Sequence, residues 1–135
     1  ELKPAAVFVD AGNGAGVIDR LRQLRHRVTE VPFGGKPSDD RYANRRAEMW
    51  FKMRDWIRSG GCIVNDIALK QDLAAPTYRF NATDRIQLES KDDIKARGLP
   101  SPDIGDALAL TFAAPVRESG ASLQTHAVVD YAIFT

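Results

Sequence analysis

Five apolar residues closing in an acid, AAVFVD at 5–10, constrain this chain more than any other stretch. An unbroken apolar run suits a strand covered on both faces, and an acid at its carboxyl end stands where open α/β sheets place their ligands. The glycine-rich AGNGAG at 11–16 follows. VIDRLRQLRH at 17–26 then carries Val17, Leu21 and Leu24 at helical spacing, and RVTEVPF at 27–33 alternates in part as a strand does. Strand, helix and strand in that order predict a β-α-β unit, for which parallel pairing across a right-handed crossover is the default.

The rest of the chain extends this unit. GGKPSDD at 34–40 reads as a loop, and 41–59 as a long amphipathic helix with Ala47, Trp50, Phe51, Met53, Trp56 and Ile57 on its apolar side, stopped by Gly60 and Gly61. CIVN at 62–65 predicts a short strand, 66–75 a helix closed by Pro76, 78–90 a hairpin turning at NATD, and 91–98 a short helix ending at Gly98. A polar link follows Pro115, and AVVDYAIF at 127–134 is strand-like. The expected fold class is α/β, a mixed sheet flanked by helices with a β-hairpin.

A length of 135 residues suits one domain with its own core. The sequence contains no 18-residue apolar run and does not open with a basic and then apolar leader, so neither a membrane span nor a signal peptide is expected. The single cysteine excludes an internal disulfide and a multi-cysteine zinc site; Cys62 is expected to be a buried thiol in a reducing cytoplasm. Net charge is +1, but arginine outnumbers lysine and gathers at Arg20–Arg27, Arg41–Arg46 and Arg54–Arg58. Guanidinium forks suit phosphate, although such groups on helices are usually solvated faces. Isolated His26 and His126 are expected at the surface, and Trp50 and Trp56 in the core rather than as platforms for bases.

SPDIGDALAL at 101–110 carries two acids three residues apart at a helix opening. Ser101 is a suitable N-cap and Pro102 a suitable first helical residue, with Asp103 favoured by the helix dipole. Ile104, Ala107, Leu108, Thr111 and Phe112 then predict one buried face, leaving Asp103 and Asp106 together on another. A solvated acidic edge accounts for both. Alternatively, Asp103 at a helix start and Asp10 at a strand end are positions from which carboxylates converge on Mg²⁺ or Mn²⁺, hard ions that assist in-line attack on a phosphodiester. A dinucleotide-binding reading of GNGAG, with Glu30 on a ribose hydroxyl, has a broken fingerprint: the third glycine falls at Gly16, and Val17 fills the required position.

Three blocks in order, VFVDAGNGAGVIDRLRQL, YANRRAEMWFKMRDWI and IQLESKDDIKARGLPSPDIGDALALTFA, resemble the C-terminal nuclease domain of the large terminase subunit of tailed bacteriophages and prophages. The resemblance spans about residues 5–115 and implies a ribonuclease H-like fold that cuts concatemeric double-stranded DNA during genome packaging, with acids on two Mg²⁺ or Mn²⁺ ions. It implies Asp10 and Asp103 as catalytic metal ligands, and Asp106 as a further ligand or a stabiliser of the helix start. Lys91 is implied as a phosphate contact, with Lys95, Arg97, Arg45 and Arg46 completing the expected DNA-binding set. Other implied partners are an ATPase motor domain, the small terminase subunit and the portal, in the cytoplasm of a bacterial host.

The family carries its first catalytic aspartate on a strand upstream of every strand here, and only nine residues precede Asp10. The sequence also lacks a phosphate loop ending in Lys-Ser or Lys-Thr. The expectation is therefore a partial nuclease domain at 1–115, lacking its N-terminal strands and with weak or no cleavage alone, followed by a link and strand-like tail at 116–135. Two further readings stand beside it: a non-catalytic DNA-binding or capsid-docking module, and a nucleotide-binding α/β domain.

Overall fold

The computed structural model describes residues 4–12 and 14–117. The first unit forms as the sequence predicts. Strand β1 (Phe8–Asp10) leads through helix α1 (Ala15–Gln23) to strand β2 (Thr29–Val31), and β1 pairs with β2 in parallel, Asp10 opposite Val31. Gly14 makes the tight entry possible, because a Cβ there would stand 2.3 Å from the Asp10 carbonyl oxygen and 2.9 Å from Val9.

Helix α2 (Arg45–Arg58) is the axis of the molecule. Asn44 caps it, accepting a 2.9 Å hydrogen bond from the Ala47 amide. Every residue from Arg46 to Phe51 is buried, which a one-faced amphipathic helix does not allow. The reason is that α2 lies between two apolar clusters. On one side Met49, Trp50 and Met53 pack with Val31, Ala109 and Ala113; on the other Ala47 and Phe51 pack with Tyr42 and the hairpin's Ile86. The buried Glu48 carboxylate is satisfied by Ser38, through its amide and hydroxyl, and by Lys52 one turn on.

Helix α3 (Ile67–Ala74), capped by Asp66, leads to a hairpin of β3 (Tyr78–Phe80) and β4 (Ile86–Leu88), antiparallel with Arg79 opposite Gln87. Its turn is held by Asn81, whose side-chain oxygen accepts from the amides of Thr83 and Arg85, with Asp84 in the left-handed region at φ 57°. Helices α4 (Lys91–Ala96) and α5 (Asp103–Leu110) complete the described elements; α5 packs against α2, α3 and β1. The α/β class holds, with the strands of the expected mixed sheet forming two separate pairs, one parallel and one antiparallel.

Several local expectations fail. Residues 62–65 form no strand, since no described segment pairs with them, and Cys62 is exposed rather than buried. Trp56 is partly exposed, edging onto Phe112 at 5.6 Å between ring centroids, whereas Trp50 is core as expected. Helix α5 differs too: Pro102, not Ser101, holds the N-cap position, and the Ser101 hydroxyl bonds the Asp103 carboxylate instead. The buried residues of α5 are Gly105, Asp106 and Ala109, while Ile104 is half exposed, so Asp106 lies on the covered face. The segment 127–134 and His126 lie outside the described residues.

Candidate active site

Asp10 ends β1, half-buried, with Oδ1 accepting from the Gly12 amide at 3.0 Å. It opens into a cleft of about 520 Å³ that Phe33, Asn44, Arg46, Ser90 and Lys91 also line. Lys91 connects this cleft to α5. Its Nζ donates to Asp103 Oδ1 at 3.0 Å and lies 3.0 Å from Asp106 Oδ2. Partial burial pulls the Lys91 pKa down, but its bonds to the Asp106 and then the Asp103 carboxylate outweigh it, so the ammonium is held charged above its usual range.

Three residues apart on one helix, the two acids live in different surroundings. Asp103 is largely exposed; the Ser101 hydroxyl, at 2.7 Å, and Lys91 lower its pKa below the ordinary carboxylate value. Asp106 is 4% exposed, and its Oδ1 accepts from Arg46 Nε at 2.9 Å and from Trp50 Nε1 at 2.7 Å. Arg46 in turn donates through Nη1 to the Glu89 carbonyl at 2.8 Å. Arg46 Nη2 is left buried without a hydrogen-bond partner, and Asp106 Oδ2, which accepts no well-aligned hydrogen bond, is paired with the Lys91 ammonium as an ion pair.

Most of the expected DNA contacts are committed inside the molecule. Arg46 is buried against Asp106, Arg45 donates to the Ala113 carbonyl at 2.5 Å, and Arg97 holds the Glu89 carboxylate at 2.7 Å. Lys95 is exposed and makes no ion pair among the described residues. Glu30, the acid a ribose would need, is engaged by Arg22 at 2.5 Å.

Sequence reasoning missed two members of this arrangement. Trp50 was placed in the core without its polar partner, which no local pattern encodes. Asp72 of α3 is buried, and its Oδ2 accepts from the amides of Ile104 and Gly105 at 2.8 and 3.1 Å. The available signal was its spacing: Asp72 follows Leu69 by three residues and so sits on the buried face of α3.

The donor set can be tested against the expected ions. Asp10 and Asp103 supply the hard oxygens that Mg²⁺ and Mn²⁺ prefer. However, among the described residues no three acidic, histidine or cysteine side chains gather into one site, and an ammonium already lies between Asp103 and Asp106. The set thus fits ligation of a divalent ion in part and falls short of a two-ion centre.

The parallel β-α-β unit, the central helix and the acid-bearing final helix make up a mixed α/β fold that matches the ribonuclease H-like fold of solved nuclease domains. The chain is similar to the nuclease domain of the large terminase subunit gp2 of bacterial virus Sf6, at 19% identity and a TM-score of 0.65, covering 81% of this chain and 65% of that one. A mutant of that domain solved with manganese and beta-thujaplicinol matches equally, and a mutant with calcium matches over 80% of this chain and 64% of its own. The chain therefore spans somewhat less than two thirds of the solved domains it resembles. No protein-family model matches it, and no curated protein matches by sequence.

Proposed function

We propose that residues 1–115 are the DNA-cleaving module of a phage-type large terminase, acting on double-stranded DNA in a bacterial cytoplasm. In the intact assembly its partners are an ATPase motor, a small terminase subunit and a portal. The observation that carries this reading is the cleft shared by Asp10 and Lys91, with Lys91 gripping Asp103, inside a fold of nuclease type. Asp10 and Asp103 act as metal ligands, and Asp106 supports the helix that presents Asp103. Lys91 and Lys95 meet the phosphate backbone, while Arg45, Arg46 and Arg97 shape the surface around them. When bound, Mg²⁺ or Mn²⁺ withdraws charge from a phosphodiester and activates water. A two-ion site requires a further carboxylate from outside the described residues, and with Asp10 and Asp103 as its acids cleavage is weak or absent.

Nicking of supercoiled plasmid with Mn²⁺ tests this. The comparison is between this chain, its Asp103→Ala variant and a form extended upstream by about 60 residues, on the order of half an ordinary domain. Cleavage by the extended form alone, lost on Asp103→Ala, is expected. Cleavage by the unextended chain would show that the two acids suffice. A protein that binds DNA identically with and without Asp10 and Asp103, and never cuts, would be a non-catalytic binding module.

A further inference from the structure

Helix α5 begins without a cap of its own. Pro102, at the N-cap position, has no side-chain acceptor, and the Ser101 hydroxyl is turned to the Asp103 carboxylate. The amides of the first helical turn need acceptors, and leaving them bare in a buried setting is costly. Asp72 supplies one from a different helix, a single oxygen taking both the Ile104 and the Gly105 amide, with the residue 8% exposed. Gly105 permits this approach: a Cβ there would lie 2.8 Å from the Trp50 ring and 3.3 Å from the Asp72 Cβ.

The first turn of α5 is therefore fastened from three directions. Trp50 and Arg46 hold Asp106, and Lys91 bridges Asp103 and Asp106. Those contacts act on side chains. Among the described residues, Asp72 is the side chain that grips the backbone of this turn, at the two amides that directly follow Asp103. Its grip sets how far α5 is rotated and advanced, and with that where the Asp103 carboxylate stands beside Lys91.

Building on the proposed function, we infer that Asp72 is a positioning residue: by accepting the Ile104 and Gly105 amides it places Asp103 at the candidate site. It touches neither substrate nor ion. What matters is an acceptor oxygen at that point, so asparagine should replace it and a leucine of similar size should not.

Amide spectra of the full chain, titrated with Mn²⁺ as the probe, test this. In Asp72→Leu, exchange of the Ile104 and Gly105 amides should rise about tenfold or more. The Mn²⁺ concentration needed to broaden the signals of 103–106 should rise about tenfold, while broadening at 10–12 stays as it was. Asp72→Asn should match the parent chain on both readouts, which general loosening of the fold would not produce. An Asp72→Leu chain with parental spectra elsewhere and an unchanged Mn²⁺ response at 103–106 overturns the inference. If that variant does not fold, Asp72→Glu, whose acceptor is advanced by one methylene, must weaken the response at 103–106, and an unchanged response overturns the inference equally. A parent chain that shows no Mn²⁺ response anywhere refutes the metal-ligand reading instead. The Lys91 ammonium signal then decides for Asp72: a shift in the Leu but not the Asn variant supports it, and no shift in either overturns it.

Discussion

The acid that lines the cleft and the acids of α5 that Lys91 ties to it are built in opposite ways. At the α5 end, Asp106 is enclosed, bonded by Arg46 and Trp50, with Lys91 at its other oxygen and Asp72 holding the backbone just before it. At the β1 end, Asp10 is half-buried, held by one amide bond within its own turn. Both were read from the sequence as candidate ligands, Asp10 at a strand end and Asp106 in a helix's first turn, yet they differ in what they can do. A carboxylate whose oxygens are engaged is architecture; one with an oxygen facing an open cleft is available for chemistry. Asp103 stands between, fixed in place by Lys91 and Ser101 yet open to solvent.

The sharpest way to break that contrast is to truncate one acid at each end and measure unfolding in urea. Asp106→Ala strands the buried Arg46 guanidinium and the Trp50 N–H, and should cost about 3–5 kcal/mol, the usual penalty for removing one partner of a buried ion pair. Asp10→Ala removes one local hydrogen bond and should cost about 1 kcal/mol or less. Equal losses would mean that the two ends do not differ in structural commitment.

Two glycine substitutions sharpen it further. Gly105→Ala drives a methyl into the Trp50 ring and should destabilise by about 1–3 kcal/mol, since overpacking forces neighbouring side chains from their rotamers. Gly16→Ala, in α1 beside the Asp10 turn, meets nothing within 4 Å. It should stabilise by about 0.5–1 kcal/mol through helix propensity alone. Thermal melts of the two variants should therefore move in opposite directions; a shared direction would show that the α5 end is as loosely packed as the β1 end.

Which parts of this design the sequence disclosed follows from the range of the forces involved. The β-α-β unit and the hairpin are local, so apolar runs, a glycine turn and NATD were enough to locate them. The buried face of α5 was misread because its apolar pattern favours Ile104 and Leu108, whereas the helix is turned by polar partners distant in sequence: Arg46, Trp50 and Asp72. A buried Asp106 becomes affordable only once those partners converge, and no spacing within SPDIGDALAL announces them. The predicted strand at 62–65 failed for a related reason, as strand propensity without a neighbouring strand yields no ladder. The places of Asp10 at a strand end and Asp103 at a helix start were legible because chain order reveals such positions; the internal commitment of Arg45, Arg46 and Arg97 was not, because sequence shows charge without its pairing.

The smallest effect expected concerns the link from the hairpin to the α5 end. Glu89 follows β4; its carbonyl receives Arg46, while its carboxylate receives Arg97 and the Thr77 amide. The bond from Arg97, then that from Thr77, lowers its pKa from 4.5 to about 2. A carboxylate with a depressed folded-state pKa adds stability that is fully present above its unfolded value, and loses it as pH falls through the folded one. The tie should therefore be intact at neutral pH, weaken from about pH 4.5 downwards, and be gone below about pH 2. Because solvent and salt screen exposed pairs, the change in overall stability should be small, and the Thr77 amide shift is the better readout. It should titrate near pH 2 in the parent chain and become insensitive to pH across this range in Glu89→Gln. A Thr77 midpoint near 4.5 would mean that Arg97 does not hold Glu89 in solution. The hairpin would then belong with the loosely held β1 end of the molecule rather than with α5.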